Sequence, residues 1–251
     1  MIVDELEIVI APTIAVMAEE AADGAAGAIQ HAIATRGEAN VMLATGNSQL
    51  AFLAELVQIP GIAWDRVRAF HMDEYVGLAP THSASFQRYM RERVATQVSF
   101  REFHYLTGDT GDAEAEARRY EGLLQAYPLD LTCAGIGENG HLAFNDPPVA
   151  DFDDPRDVKV IELEPASRQQ QVGEGHFPTI ADVPTHAITV TIPALLRATR
   201  VLVIVPEARK AQPVYDALYG PISTACPASI LRRTAHATLY LDDASSALLP
   251  A

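Results

Sequence analysis

Lysine, cysteine and long apolar runs are all scarce in this sequence. Of its 18 basic residues only two are lysines, Lys159 and Lys210, and 33 acidic residues bring the formal net charge to −15. A chain this acidic repels phosphate backbones and anionic lipid headgroups, so we expect it to bind neither nucleic acid nor a membrane surface. Any anion that it binds must be held by a local arrangement of donors and cations.

The two cysteines, Cys133 and Cys226, are too few for a disulfide framework and form no CxxC motif. We therefore expect a reducing compartment and no structural zinc site. Acidic residues interrupt the N-terminal segment early, and it has no basic region followed by an apolar run. The sequence thus predicts neither a signal peptide nor a transmembrane helix, and it favours the cytoplasm.

The 251 residues, 49% of them hydrophobic, are enough for one large domain. Short apolar segments alternate with stretches of helical spacing along the whole chain. Strands are predicted at 40–44, 67–70, 103–106, 130–136, 158–163, 187–192, 201–205 and 238–241, and helices at 13–36, 48–59, 82–94, 113–126 and 207–219. This alternation predicts a three-layer α/β fold, a mostly parallel sheet with helices on both faces. We expect a single domain over 1–251, with 164–184 forming a loop or short helices over the site.

In such sheets ligands bind beyond the carboxyl ends of the strands, and polar segments follow several predicted strands. The first is 45–48 (Thr45, Gly46, Asn47 and Ser48), which leads from a strand into a helix. Free N–H groups at the start of a helix favour an anion, typically phosphate. The alternative is an ordinary turn in which Ser48 caps the helix.

A pair of adjacent carboxylates, Asp73 and Glu74, follows the predicted strand at 67–70. If the extended geometry continues, their side chains point to opposite faces. One could then face the pocket as a base while the other makes structural hydrogen bonds. The alternative is a solvated strand end.

A glycine-rich turn follows the predicted strand at 130–136 and ends in His141. Glycines such as Gly137 let the backbone approach a ligand closely. Histidine is the residue type best suited to proton transfer near neutral pH, and Asn139 and Asp146 are close enough in sequence to orient the His141 ring. A purely structural histidine is the alternative.

Lys210 lies in the first turn of the predicted helix 207–219, where a cation opposes the helix dipole. A bound anion would explain this placement, and simple screening by solvent is the alternative. No group of residues has the spacing of a known metal site, and no GxGxxG motif follows the first predicted strand of the sheet. We therefore expect neither a metal ion nor a nicotinamide cofactor.

Two longer blocks, FHMDEYVGL at 70–78 and GIGENGHLAFNDP at 135–147, enclose the carboxylate pair and the histidine. Together they resemble specific motifs of the glucosamine-6-phosphate deaminase (isomerase) family, which is related to the 6-phosphogluconolactonases. LATGNSQ at 43–49 is similar to the family's phosphate loop but is a weak signal by itself. The resemblance covers about residues 15–245. It implies a Rossmann-like sugar-phosphate isomerase fold and conversion of glucosamine 6-phosphate and water to fructose 6-phosphate and ammonia, without metal or organic cofactor.

The resemblance also implies roles for individual residues. Asp73 would be the base that moves a proton from C2 towards C1, and His141 would open the pyranose ring. Asn139 and Asp146 stand where the family has two carboxylates that support the histidine. The phosphorylated amino sugar would be bound by Thr45, Gly46, Asn47, Ser48, Gly137, Arg168 and Lys210.

The sequence departs from the family's pattern in several places. Many members have Asp where this chain has Asn139, and Glu where it has Asp146. The arginine that many members use against phosphate has no clear counterpart in 167–177, and Arg168 is the nearest candidate. The long C-terminal tail of hexameric members has no counterpart either, so we expect a monomer or a small homo-oligomer.

Two alternative functions stay open at this point. One is a 6-phosphogluconolactonase, or an isomerase or deaminase of another amino-sugar phosphate such as galactosamine 6-phosphate. The changes at Asn139 and Asp146 and the missing arginine keep a different amino-sugar phosphate open as substrate, whereas Asp73 argues against a lactonase. The other is a non-catalytic sugar-phosphate sensor, which the retention of both Asp73 and His141 disfavours.

Overall fold

The computed structural model describes residues 1–250, which form eleven strands and seven α-helices. The strands are β1 (Ile2–Val3), β2 (Leu6–Ala11), β3 (Ala39–Leu43), β4 (Val67–His71), β5 (Asp73–Tyr75), β6 (Glu102–His104), β7 (Leu131–Ala134), β8 (Val158–Glu162), β9 (His186–Val190), β10 (Arg200–Val205) and β11 (Ala237–Asp242). The helices are α1 (Ile14–Arg36), α2 (Leu50–Leu56), α3 (Phe86–Met90), α4 (Ala113–Ala126), α5 (Pro165–Gly173), α6 (Ile192–Leu196) and α7 (Ala211–Tyr219).

The main sheet has eight strands in the order β1-β2-β11-β10-β7-β3-β4-β6. Only the β1–β2 pair is antiparallel. Alternate side chains of the central strands enter two different cores: Leu202 and Ile204 pack with α1 and α2, whereas Val203 and Val205 pack with α4 and α7. This arrangement confirms the predicted three-layer, mostly parallel α/β fold.

Helix α1 shows how local sequence builds one outer layer. The Thr13 side chain caps it by accepting a hydrogen bond from the Val16 N–H, and Gly37 ends it with a left-handed φ of 84°. Its buried face consists mostly of alanines, which are strong helix formers and let the helix approach the sheet closely.

A second, three-stranded antiparallel sheet in the order β5-β9-β8 was not predicted. The predicted strands at 158–163 and 187–192 belong to it, so the expectation that they join the parallel sheet is wrong. The chain leaves the main sheet after His71, and Asp73–Tyr75 then pair with β9. This crossing carries Asp73 from the carboxyl end of β4 onto the second sheet.

Some predicted helices are shorter in the structure. Three-residue 3-10 turns at 47–49 and 208–210 precede α2 and α7, so Lys210 lies just before α7 and not inside its first turn. The segment 164–184 contains α5 and a 3-10 turn at 180–182. Strands β1 and β2 and helix α6 had no counterpart among the predicted elements.

Within residues 1–250 no helix has the length and apolar character to cross a bilayer.

We expect Gly108 to be essential for the position of β5. A β carbon at Gly108 would lie 1.9 Å from the Tyr75 carbonyl oxygen, a backbone atom that cannot easily move. Gly108→Ala should therefore lower the free energy of unfolding by about 1–3 kcal/mol, the usual cost of overpacking. In α4, a β carbon added at Gly122 would have no heavy atom within 4 Å. Gly122→Ala should raise the free energy of unfolding by about 0.5–1 kcal/mol. Urea denaturation checks both, and equal stability of the two variants would contradict the close approach at Gly108.

Candidate active site

A pocket opens at the carboxyl ends of β3, β4 and β7, where the loops after these strands meet α5. Its cavity volume, the space open to the centre of a water-sized molecule, is about 70 Å³. The predicted residues that line it are Thr45, Gly46, Asn47, Ser48, Asp73, Gly137, His141 and Lys210. Four segments far apart in sequence therefore meet at one edge of the sheet.

The loop at 45–48 lines the pocket and contains a glycine with a positive φ, a conformation that glycine adopts more readily than other residues. Gly46 has a φ of 99°, and its carbonyl oxygen accepts a hydrogen bond of 2.9 Å from the Tyr89 hydroxyl. Gln49 holds the loop against the sheet by donating to the Ile204 carbonyl at 3.1 Å. Because α2 has only seven residues and follows a 3-10 turn, its dipole contributes less than predicted.

Lys210 is a buried cation that faces the pocket. Its exposed fraction is 3%, and burial lowers the pKa of its ammonium group, opposed in part by the charge of Glu174. No ion pair or hydrogen bond of its ammonium group occurs within residues 1–250. Lys159, by contrast, donates to Asp154 at 2.7 Å and to the Val149 carbonyl at 2.6 Å. A buried ammonium without a partner is costly, and an anion bound in the pocket would supply one.

The two carboxylates at 73–74 have separate environments. Asp73 lines the pocket, and burial together with the charge of Glu74 raises its pKa well above the usual range. Its Oδ1 atom is buried without a hydrogen-bond partner. Glu74 points away and accepts hydrogen bonds from the Ser85 hydroxyl and from backbone N–H groups, including that of Gln87. The side chains thus diverge as the extended geometry predicted.

His141 forms a hydrogen-bonded group with Asp146 and with Ser167 of α5. Its Nδ1 atom lies 2.9 Å from Asp146 Oδ1 and 3.2 Å from Ser167 Oγ, which itself donates to Asp146. Burial raises the pKa of Asp146, but its hydrogen bonds with His141, Asn139 and Ser167 outweigh this and lower it. The ring also requires Gly137, since a β carbon there would lie 2.2 Å from His141 Nε2.

Asn139 supports His141 indirectly. Its amide nitrogen donates to Asp146 Oδ1 at 3.0 Å and to Glu164 Oε2 at 2.7 Å, and its oxygen accepts from the His141 backbone N–H at 3.1 Å. Asn139 therefore holds two carboxylates together and does not touch the imidazole ring. Neither Asn139 nor Asp146 lines the pocket itself.

The structure places Arg168 outside the pocket, which corrects its expected role as a phosphate ligand. Its guanidinium donates to the carbonyl oxygens of Ile180 and Val183 at 2.7 and 2.8 Å, and it does not line the pocket. Successive side chains on a helix are about 100° apart, so Arg168 cannot share the direction of Ser167.

Helix α5 and its C-terminal cap contribute residues that the sequence analysis missed. Gln170, Gln171 and Glu174 line the pocket, while Ser167 contacts His141. The positions 167, 170, 171 and 174 have the spacing of one helical face, and this signal could have identified them. Glu164 lies at the N-cap of α5, and nothing in its sequence context indicates the contact with Asn139.

Among residues 1–250 no group of three or more His, Cys, Asp or Glu side chains is arranged to hold a metal ion.

Comparisons with known proteins agree with this architecture. Residues 12–240 match the family described as glucosamine-6-phosphate isomerases/6-phosphogluconolactonase. A glucosamine-6-phosphate deaminase of Bacillus thuringiensis (strain Al Hakam) is 34% identical over 230 residues, which are 92% of this chain and 86% of that protein.

Solved structures extend the likeness to three dimensions. A monomeric glucosamine-6-phosphate deaminase superposes with a TM-score of 0.89 at 29% identity, covering 96% of this chain and 99% of that one. A 6-phosphogluconolactonase from Leishmania guyanensis, 18% identical, shares the fold with a TM-score of 0.78 over 98% and 99% of the two chains. The chain belongs to the family of glucosamine-6-phosphate isomerases and 6-phosphogluconolactonases.

Proposed function

We propose that this chain is a glucosamine-6-phosphate deaminase, which converts glucosamine 6-phosphate and water into fructose 6-phosphate and ammonia. The observation that carries the proposal is one pocket in which a buried carboxylate, Asp73, and a histidine, His141, meet a buried cation without a partner, Lys210. An aldose–ketose isomerase of a phosphorylated sugar can use them as a base, as a group that moves protons during ring opening, and as a phosphate ligand. The 34% identity to a deaminase of this name supports the choice of substrate.

In the proposed mechanism the phosphate is held by Lys210 and the backbone of 45–48. Because the phosphate does not react, its binding energy can orient the sugar for the chemical steps. His141 opens the pyranose ring by moving a proton between the C1 hydroxyl and the ring oxygen. Asp146 beside Nδ1 fixes the tautomer of the ring and leaves Nε2 free for the proton.

Asp73 then acts as the base in the isomerisation. It takes the proton from C2 of the open-chain sugar while the aldehyde oxygen at C1 gains a proton, and it then returns a proton to C1, which leaves a protonated imine at C2. Water adds to this imine, and ammonia departs to give the ketose. The buried position that raises the pKa of Asp73 also makes its carboxylate a stronger base than one in water.

We also propose a single domain over 1–251, in which 164–184 covers the pocket as a lid, and a monomer or small homo-oligomer in the cytoplasm. The contacts of α5 with the pocket support the lid, and the relative with the TM-score of 0.89 is described as monomeric. Cys133 and Cys226 are both free thiols, which suits a reducing compartment.

We expect the purified protein to release ammonia and form fructose 6-phosphate in step from glucosamine 6-phosphate, without added metal. In the same assay Asp73→Asn should lower kcat by about 10²- to 10⁴-fold, the usual contribution of a general base, because an amide cannot accept the C2 proton. The variant should still bind inorganic phosphate. Unchanged turnover by Asp73→Asn would contradict its role as base. Turnover of galactosamine 6-phosphate or of 6-phosphogluconolactone in place of glucosamine 6-phosphate would reassign the substrate.

The two lysines of the chain provide a matched test of the phosphate site. Lys210→Met keeps most of the side chain but removes the ammonium group, so KM for the sugar phosphate should rise about tenfold or more, the loss expected for one charge-assisted contact. Lys159→Met removes a lysine that is already paired with Asp154. Its KM should stay within about twofold of the wild-type value. Equal effects of the two changes in steady-state kinetics would rule out a specific phosphate contact by Lys210.

Asn139→Asp, which restores the residue type common in the family, should destabilise this chain. It would remove the donor that links Asp146 and Glu164 and place three carboxylates together, at a cost of about 1–3 kcal/mol near pH 7. Crowding by the two neighbouring carboxylates raises the pKa of the carboxyl group introduced at position 139 in the folded variant above its unfolded value. Its proton uptake therefore favours folding, and the deficit should shrink as the pH falls from 7 towards 5.

Denaturant unfolding at both pH values tests this expectation. The double variant Asn139→Asp with Glu164→Gln provides the control, because it exchanges the amide and the carboxylate and should recover part of the lost stability. If Asn139→Asp is as stable as the wild type at pH 7, the amide does not hold the two carboxylates together.

A further inference from the structure

Two adjacent cations differ in their place and in their partners: Lys210 lines the pocket, whereas Arg209 does not line it and contacts Glu174, which does. Lys210 faces the pocket with its ammonium group unpaired within residues 1–250. The guanidinium of Arg209 is occupied, since its Nη1 atom donates to Glu174 Oε1 at 3.0 Å. Glu174 itself lines the pocket with Lys210 and the loop at 45–48, and its side chain is only 6% exposed.

Glu174 places a negative charge beside a site that has the features of an anion site. Burial raises its pKa, but contacts with His176, Gln170 and Arg209 and the charge of Lys210 lower it to about 2, so the carboxylate stays ionised near neutral pH. A phosphate dianion that approached Lys210 would be repelled by this carboxylate at short range. The carboxylate and the phosphate therefore compete for the same positive charges.

The backbone around Glu174 permits the side chain to leave. Glu174 is the C-cap of α5, immediately beyond its last helical residue, and lies between Gly173 and Gly175. A β carbon added at either glycine would have no heavy atom within 4 Å, and Gly175 has a φ of 81°. The backbone N–H groups of Glu174 and Gly175 donate to the carbonyl oxygens of Gln170 and Val172, so the carboxylate would leave by rotation of its own side chain while the helix stays intact.

Arg209 would stay in place when Glu174 leaves. Its Nε atom donates to Glu207 Oε2 at 2.6 Å, and Nη1 also lies 3.4 Å from Glu138 Oε1. Glu207 thus holds the guanidinium through a different nitrogen from the one that contacts the departing carboxylate. The freed Nη1 group, next to Lys210 in the chain, can then donate to an incoming oxyanion.

We propose that Glu174 is an internal anion that occupies Arg209 in the empty protein, and that the substrate phosphate displaces it and binds Arg209 together with Lys210. The identity of the ligand as a sugar phosphate rests on the proposed function, whereas the exchange itself needs no turnover. It favours dianionic phosphate esters, because a neutral sugar cannot replace the carboxylate on the guanidinium.

Inorganic phosphate is the probe, and its dissociation constant is measured by isothermal titration calorimetry at pH 7.5 and fixed low ionic strength. Glu174→Gln keeps an acceptor for Gln170 but removes the competing charge, so it should tighten phosphate binding by about threefold to tenfold. Arg209→Gln should weaken phosphate binding by a similar factor of about three to ten. In the Arg209→Gln background, Glu174→Gln should change the dissociation constant by less than about twofold, because the site of competition is gone.

Glu138→Gln is the matched control. It removes another carboxylate that contacts Arg209, but Glu138 has a 46% exposed side chain and does not line the pocket. We expect it to alter the phosphate dissociation constant by less than about twofold. A gain in affinity as large as that of Glu174→Gln would show that general charge, and not displacement at the pocket, controls binding.

Unchanged or weaker phosphate binding by Glu174→Gln overturns the proposal. If this variant does not fold, as judged by its thermal melt, Arg209→Gln still decides, because unchanged phosphate affinity there excludes Arg209 as a phosphate ligand. If the expected series of affinities is found in a protein that does not deaminate glucosamine 6-phosphate, the proposed function fails and the exchange stands. If the protein deaminates glucosamine 6-phosphate but Glu174→Gln leaves phosphate binding unchanged, the proposed function stands and the exchange fails.

Discussion

The burial of ionised groups at the carboxyl edge of the main sheet is the constraint around which the pocket is organised. A buried charge without a partner costs several kcal/mol, so most of these groups are surrounded by donors. Glu74 accepts hydrogen bonds from one hydroxyl and three backbone N–H groups, and Asp146 contacts His141, Asn139 and Ser167. Asp73 Oδ1 is buried without such a partner, and no hydrogen bond or ion pair of the Lys210 ammonium group occurs within residues 1–250. Both residues line the pocket, where a bound ligand can supply the missing partners.

The fold was predictable to the extent that its strands depend on local hydrophobic pattern. Buried parallel strands such as β10 consist of continuous apolar residues, and long helices separate them, which is the pattern of an α/β sheet. The second sheet could not be predicted in this way. Strands β8 and β9 have a similar local pattern, and β5 consists of two carboxylates and a tyrosine. Their common sheet arises because the chain turns out of the main sheet after His71, a tertiary event that leaves no periodic signal.

The residues of the candidate site likewise include some that the sequence predicted and some that it did not. Residues inside contiguous motifs, such as Asp73 and His141, were predicted, because each follows a strand whose carboxyl end could be located. Residues contributed by α5 were missed, and Arg168, the nearest candidate for a phosphate ligand, does not line the pocket. One residue along a helix turns a side chain by about 100°, so a prediction that a segment covers the site does not identify its inner face. That choice depends on packing, since Ser167 fits against Asp146 while Arg168 reaches the carbonyl oxygens at 180 and 183.

Helix α5 links the two ends of the pocket. Ser167 near its N-terminal end contacts the His141–Asp146 pair, and Glu174 at its C-terminal cap contacts Arg209. The seven residues from one to the other span two turns, about 10.5 Å. If phosphate displaces Glu174, the contacts that fix the C-terminal end of α5 change, while Ser167 stays between His141 Nδ1 and Asp146. The exchange on Arg209 therefore leaves the contacts of Ser167 that position His141 unchanged, so phosphate can bind at one end of α5 without disturbing proton transfer at the other.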